Sequence, residues 1–165
     1  MYTISDDSGF LAIIEPINYS SFVDENWELE QLFNHFKSQI AKGNMLMWAT
    51  GEENTCSVEI NKFFTDIKGY QEALGSIRVD SNNLCLINYE SLTMGAQFSD
   101  IHLLEKHMND LLIEFENGNY NVGIVQFYNS STNTYVGRSD VDFLIEFEKT
   151  NELENLLSNI PWSSI

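Results

Sequence analysis

The stretch Asp110–Tyr128, DLLIEFENGNYNVGIVQFY, constrains the fold of this chain more than any other. Leu112, Ile113 and Phe115 lead into Asn117-Gly118-Asn119; Tyr120, Val122, Ile124, Val125 and Phe127 follow. Asn and Gly tolerate the positive φ that a tight turn needs, and both arms are rich in β-branched and aromatic residues. The spacing therefore predicts a β-hairpin. Tyr120, Val122 and Ile124 alternate with Asn119, Asn121 and Gly123, which places one face of the second arm in a core.

Further strands are predicted at Tyr2–Ile4, Phe10–Ile14 (stopped by Pro16), Met45–Ala49, Cys56–Ile60, Ser76–Val79, Leu84–Tyr89, Thr134–Val136 and Val141–Phe147. Ser81-Asn82-Asn83 joins two of them into a second predicted hairpin, Ile77–Asn88. In the last strand Val141, Phe143, Ile145 and Phe147 share one face and Asp142 and Glu146 the other. The clearest helix runs from about Glu25 to Lys42, capped by Asp24 or Asn26 and ended by Gly43 at C′. Its apolar stripe is Leu29, Leu32, Phe33, Phe36 and Ile40. A closing helix is predicted over Asn151–Leu157, with Leu153, Leu156 and Leu157 inward. Phe63, Phe64, Ile67 and Tyr70 read as a short helix or loop over the core, and Ser91–His107 as a loop with a turn of helix. Strands succeed one another with turn signals between them and no βαβ rhythm. That order predicts an α+β fold: a mainly antiparallel β sandwich or partly open barrel with one long amphipathic helix near the N-terminus, residues 1–165 forming one domain.

A chain of 165 residues with 43% hydrophobic content can bury a core without disulfides or metal. Cys56 and Cys85 lie in apolar, strand-like runs with no CxxC spacing, and are expected to be reduced and buried. Tyr2–Gly9 is polar and acidic, unlike a signal peptide, and Phe10–Ile14 is too short to span a bilayer, so a cytoplasmic protein is the expectation. The loudest global feature is charge: 25 acidic residues against 8 basic ones, a net of −17. No Lys or Arg precedes Lys37. Such a surface repels nucleic acid and anionic membranes and attracts basic partners.

The motifs that carry chemistry are weak. His102 and His107 are five apart, a spacing that does not put two imidazoles on one helix face, and they read as ordinary loop histidines rather than metal ligands. There is no GxSxG elbow, no histidine close in sequence to either cysteine, and no glycine-rich phosphate loop. The paired carboxylates Glu114/Glu116 and Glu146/Glu148 fit the solvated face of a sheet better than a glycosidase pair. Arg78 and Arg138 fit structural salt bridges. No catalytic residue and no cofactor is predicted.

The general build resembles the small acidic immunity proteins that bacteria make against polymorphic toxins. The likeness is carried by Asp24-Glu25-Asn26-Trp27-Glu28 and by the run from Asn88 to Phe98, NYESLTMGAQF. It implies a cytoplasmic, non-enzymatic inhibitor whose partner is a basic, toxin-like protein. The surface expected to meet that partner is Glu25, Glu28 and Glu30 at the start of the helix with Glu52 and Glu53 at a hairpin tip, and Trp27 and Trp162 as possible anchors. The alternative reading is a sandwich module for a small carbohydrate or metal ligand, using the Asp100–His107 loop; its mark would be a concave pocket between sheet and helix, lined with aromatics and a few polar groups.

Overall fold

The computed structural model describes residues 1–101, 103 and 111–165. Two sheets face each other. One has five strands in the order β1 (Tyr2–Asp6), β4 (Asn54–Asn61), β11 (Phe143–Thr150), β8 (Gly118–Gln126), β5 (Gln71–Val79). The other has four, in the order β3 (Met45–Ala49), β2 (Phe10–Ile14), β6 (Asn83–Asn88), β7 (Leu112–Glu114). Pairing is antiparallel except between β4 and β11. Helices α1 (Leu29–Ala41) and α2 (Tyr89–Gln97) cover the outer face of the four-stranded sheet. Strands β2, β3 and β6 are therefore buried on both faces, which is why they read as unbroken apolar runs rather than alternations. The α+β sandwich expected from the sequence is present, and the sheets do not close into a barrel. A short hairpin of β9 (Tyr128–Asn129) and β10 (Thr134–Tyr135) stands at one end.

Both predicted hairpins are corrected. Strand β7 pairs with β6 in one sheet, whereas β8 pairs with β11 and β5 in the other. Strands β5 and β6 likewise lie in different sheets. The turns exist, but each carries the chain across the sandwich. They are tied to one another: Asn82 N donates to Asn117 Oδ1 at 2.7 Å, and Phe115 N donates to Asn82 O at 3.0 Å. Local turn chemistry specifies that the chain reverses; which face the returning strand joins is decided by where its apolar side must be buried.

The long helix starts later than predicted. Asp24 Oδ1 accepts from Asn26 N at 2.9 Å and closes its own turn, leaving Glu28 as N-cap, with Gln31 Oε1 accepting from Glu28 N at 3.4 Å. Leu32, Phe33, Phe36 and Ile40 are buried as the stripe requires, while Leu29 is exposed. Gly43 takes φ +75°, the left-handed C′ conformation. A second helix, α2, stands where a strand end and a loop were expected; Asn88 caps it by accepting from Ser91 N at 3.0 Å.

Residues 151–157 form no helix. They run irregularly along the seam between β5 and β3, where Asn155 N donates to Ser76 Oγ at 2.7 Å and its Nδ2 to Asn121 Oδ1 at 2.9 Å. Side-chain partners on the sheet there outcompete a helix too short to be stable alone. Residues 62–70 form a loop, one of the two expected forms, on the outer face of the five-stranded sheet, where Ile67 packs against a second buried cluster of Val125, Phe127, Val141 and Leu144. Phe63 and Phe64 remain exposed, and Thr65 N donates to the buried Glu146 carboxylate at 2.9 Å.

An acidic end and its cleft

Strand register brings several turns to one end of the sandwich. Asp6 pairs with Asn54, Phe10 with Ala49, Leu11 with Asn88, and Gln126 with both Phe143 and Gln71. The β1–β2 and β3–β4 turns, the start of α2 and the β9–β10 hairpin therefore sit together. The first turns of α1 arrive at the same end, because Phe33 packs on Phe10 (5.3 Å between ring centroids) and on Tyr89 (6.0 Å).

This end concentrates negative charge. Asp7, Glu28, Glu30, Glu53 and Glu90 are exposed on it, and Glu52 is half-buried. The hydrogen bond and charge of Asp7 beside it hold the Glu90 carboxyl above its ordinary value. Among the described residues two cations, Arg138 and Lys68, belong to it. Arg138 bridges Glu59 at 2.6 Å and Asp140 at 2.7 Å, as expected for a structural arginine, and Lys68 lies 3.9 Å from Glu72. Lys37, Lys42, Lys62, Arg78 and Lys149 belong to the opposite end by register and connectivity. Among the described residues Arg78 forms no salt bridge of the kind expected; its Nε donates to Asn119 Oδ1 at 3.3 Å.

Of the predicted partner-binding residues, Glu28, Glu30, Glu52 and Glu53 thus share one end of the molecule. Glu25 is exposed on the loop before α1, where Asp24 N donates to Ala96 O at 3.2 Å beside the last turn of α2. Two other carboxylates at this end are structural. Asp6, 2% exposed, accepts from the backbone N of Ser8, Gly9 and Phe10 and from Thr50 Oγ1. Asp142 accepts from Ser57 N and Oγ and from Tyr135 Oη, whose pKa it pushes up to about 12.

Between the β3–β4 turn and the β9–β10 hairpin lies a cleft of about 220 Å³, lined by Thr50, Tyr70, Gln71, Gln126, Ser130 and Trp162 among others. A smaller recess of about 10 Å³, room for one water, adjoins it at Thr50 and Gln126 and is lined by Glu52, Tyr128 and Asp142. Gln126 is 2% exposed and forms the floor. Gln71 Nε2 donates to Gln126 Oε1 at 2.5 Å, and Gln126 Nε2 donates to Thr50 O at 2.7 Å. Trp162 sits at φ +63°, an outlying conformation for a bulky residue, in a turn held by Ser163 N to Ile160 O (3.2 Å) and next to the Ala49 N to Pro161 O bond (3.1 Å).

Apart from Trp162, sequence reasoning missed this cleft. The available signal was Gln126, a polar residue interrupting the run Ile124-Val125-Gln126-Phe127. Cys56 lines the recess but is inert: burial, with the charges of Asp6, Asp142 and Glu52, pushes its thiol up to about 12. Burial does the same to Cys85. Both are free and buried, as expected. No group of His, Cys, Asp and Glu among the described residues is placed to hold a metal ion. His102 and His107 lie outside the described residues, as does most of the Asp100–His107 loop. No described helix is long and apolar enough to cross a membrane.

No family model and no curated protein matches the sequence. Among solved structures, the chain is similar to the protein of crocagin biosynthetic gene J, with a TM-score of 0.58 and 12% identity over 91% of this chain and 96% of that one. It is also similar to ComJ of Bacillus subtilis, described as an inhibitor of the DNA-degrading activity of NucA, with a TM-score of 0.47 and 9% identity over 90% of this chain and 94% of that one. The first likeness shows a shared fold. The second is too loose for anything about this chain to follow from it.

Proposed function

We propose that this is a non-enzymatic binding protein of the immunity or inhibitor kind, which occludes a basic protein partner with its acidic end. The observation that carries the reading is the segregation of charge. Glu28, Glu30, Glu52, Glu53, Asp7 and Glu90 gather at one end, where Arg138 is held between Glu59 and Asp140 and Lys68 lies near Glu72. A field of one sign on one end steers an oppositely charged partner and orients it on arrival, which raises the association rate more than the final affinity. The cytoplasmic location expected from the sequence suits a partner met inside the cell.

The test is capture from a lysate of the source organism on immobilised protein. It is run in parallel with a variant carrying Glu25→Gln, Glu28→Gln, Glu30→Gln, Glu52→Gln and Glu53→Gln. The expected result is one basic protein, identified by mass, retained by the native chain at ~0.05 M salt, released near ~0.5 M where the Debye length has fallen to a few Å, and lost from the variant. Equal retention by both chains, or retention indifferent to salt, would overturn the reading.

A further inference from the structure

We infer that the cleft beside the β3–β4 turn seats one arginine side chain of the basic partner, an inference that rests on the reading above and gives it an anchor. The cleft has the three properties a guanidinium needs. Two aromatic residues, Tyr70 and Trp162, line it, and a planar cation stacks on such rings better than an ammonium does. Oxygen acceptors converge on it. Because the relay from Gln71 to Gln126 to Thr50 uses the Gln71 amide as donor, Gln71 Oε1 is left to accept, beside the hydroxyls of Ser130 and Ser131. The field at its mouth is negative, with Glu52 in the adjoining recess and Glu53 next in the chain.

The cleft is also built rather than incidental. Its floor is a buried glutamine with both amide atoms engaged, and the β9–β10 hairpin is pressed against the turn: a Cβ on Gly51 would lie 2.8 Å from Ser130 Oγ. Trp162 holds a backbone conformation that a bulky side chain adopts only when its surroundings enforce it, and this residue lines the cleft. At about 220 Å³ the space is large enough for one long side chain. A single desolvated arginine in an aromatic and amide pocket is the composition of an interface hot spot.

The probe is agmatine, a free alkylguanidinium, titrated into the ¹⁵N-labelled protein and followed by NMR at the Trp162 indole and the Gln71 and Gln126 side-chain amides. Butylamine and glucose serve as comparison ligands. The expected result is saturable shifts at those three side chains with agmatine, at least ~10-fold weaker binding with butylamine, and none with glucose. Trp162→Ala and, separately, Gln71→Ala should each weaken agmatine binding ~10-fold or more while the remaining spectrum stays dispersed; the second variant keeps the test valid if the first disturbs the tail. Shifts confined to the Asp24–Glu30 surface, or glucose moving the cleft signals in place of agmatine, would overturn the arginine pocket. Neither outcome would touch the basic-partner reading, which stands or falls on the capture experiment.

Discussion

Glu15 offers the sharpest test of how this fold spends its carboxylates. It is fully buried at the end of β2, and its two oxygens accept four backbone hydrogen bonds: from Ile17 at 2.7 Å, Asn18 at 2.9 Å, Asp80 at 2.9 Å and Ser81 at 2.7 Å. One side chain thus fastens the exit from the four-stranded sheet to the turn between β5 and β6. Burial alone would push its pKa up, but the bonds from Ser81, Asn18, Asp80 and Ile17 outweigh burial and hold it below the ordinary carboxylate value. In Glu15→Gln one oxygen can still serve two donors, while an NH₂ is aimed at the other two. Hydrogen bonds to a charged group contribute about 1.5–3 kcal/mol each, so losing two, in a site that cannot rehydrate, should cost about 3–6 kcal/mol at pH 7. A carboxyl whose folded pKa lies below its unfolded value stabilises fully above the unfolded value and loses that contribution as pH falls through the folded one. The gap between native and variant should therefore be widest at pH 7 and narrow below about pH 4. Urea unfolding followed by tryptophan fluorescence from pH 7 to 3 measures it. A loss under about 1 kcal/mol at pH 7, or a gap that does not narrow with acid, would refute the argument.

Cys56 and Cys85, buried and with thiols pushed up to about 12, should resist a thiol reagent at pH 8 in the native protein and react together on unfolding; fast labelling of either in the folded state would contradict its burial. Two glycines should differ in their response to alanine. A Cβ on Gly69 would lie 2.5 Å from Gln126 O and 2.8 Å from Val125 Cγ1, so Gly69→Ala should cost about 1–3 kcal/mol in chemical denaturation. A Cβ on Gly123 would meet only the Phe64 ring, at 3.8 Å, so Gly123→Ala should change stability by less than about 1 kcal/mol; the reverse order would refute the packing argument.

Periodicity located most elements because most are amphipathic in the ordinary way. The stripe Leu32, Phe33, Phe36, Ile40 faces the four-stranded sheet, and Phe143, Ile145 and Phe147 face the interior, as their spacing requires. What periodicity cannot carry is partnership. Asn117-Gly118 and Asn82-Asn83 have hairpin chemistry, yet both turns cross between sheets, because β7 and β6 need a helix-covered layer while β8 and β5 need the opposite one. The same limit hid the cleft. Tyr70, Gln126 with Ser130, and Trp162 come from three separated segments, and only the register of β5, β8 and β11 with the docking of the C-terminal tail brings them together. The acidic surface was legible in part: Glu28, Glu30, Glu52 and Glu53 fall on one end, but their connection runs through the Phe10–Phe33–Tyr89 contacts, which no local pattern encodes.

A net charge of −17 overstates what a partner meets, because the acids divide into two physical kinds with opposite responses to neutralisation. Asp6, Glu15, Asp142 and Glu146 are buried and accept hydrogen bonds that hold turns and loops, so removing their charge destabilises the fold. Glu90 is the opposite case. It is exposed in the first turn of α2, and its pKa is raised by the hydrogen bond and charge of Asp7. A carboxyl with a raised folded pKa opposes folding when ionised, so at neutral pH this end carries repulsion that an arriving cation would relieve. Glu90→Gln should therefore raise the melting temperature at low ionic strength, the gain should shrink at high salt, and the same variant should weaken capture of the basic partner. A structural role for Glu90 would instead lower the melting temperature at every salt concentration. Opposite signs for Glu15→Gln and Glu90→Gln would separate the carboxylates that build this protein from those available to bind with.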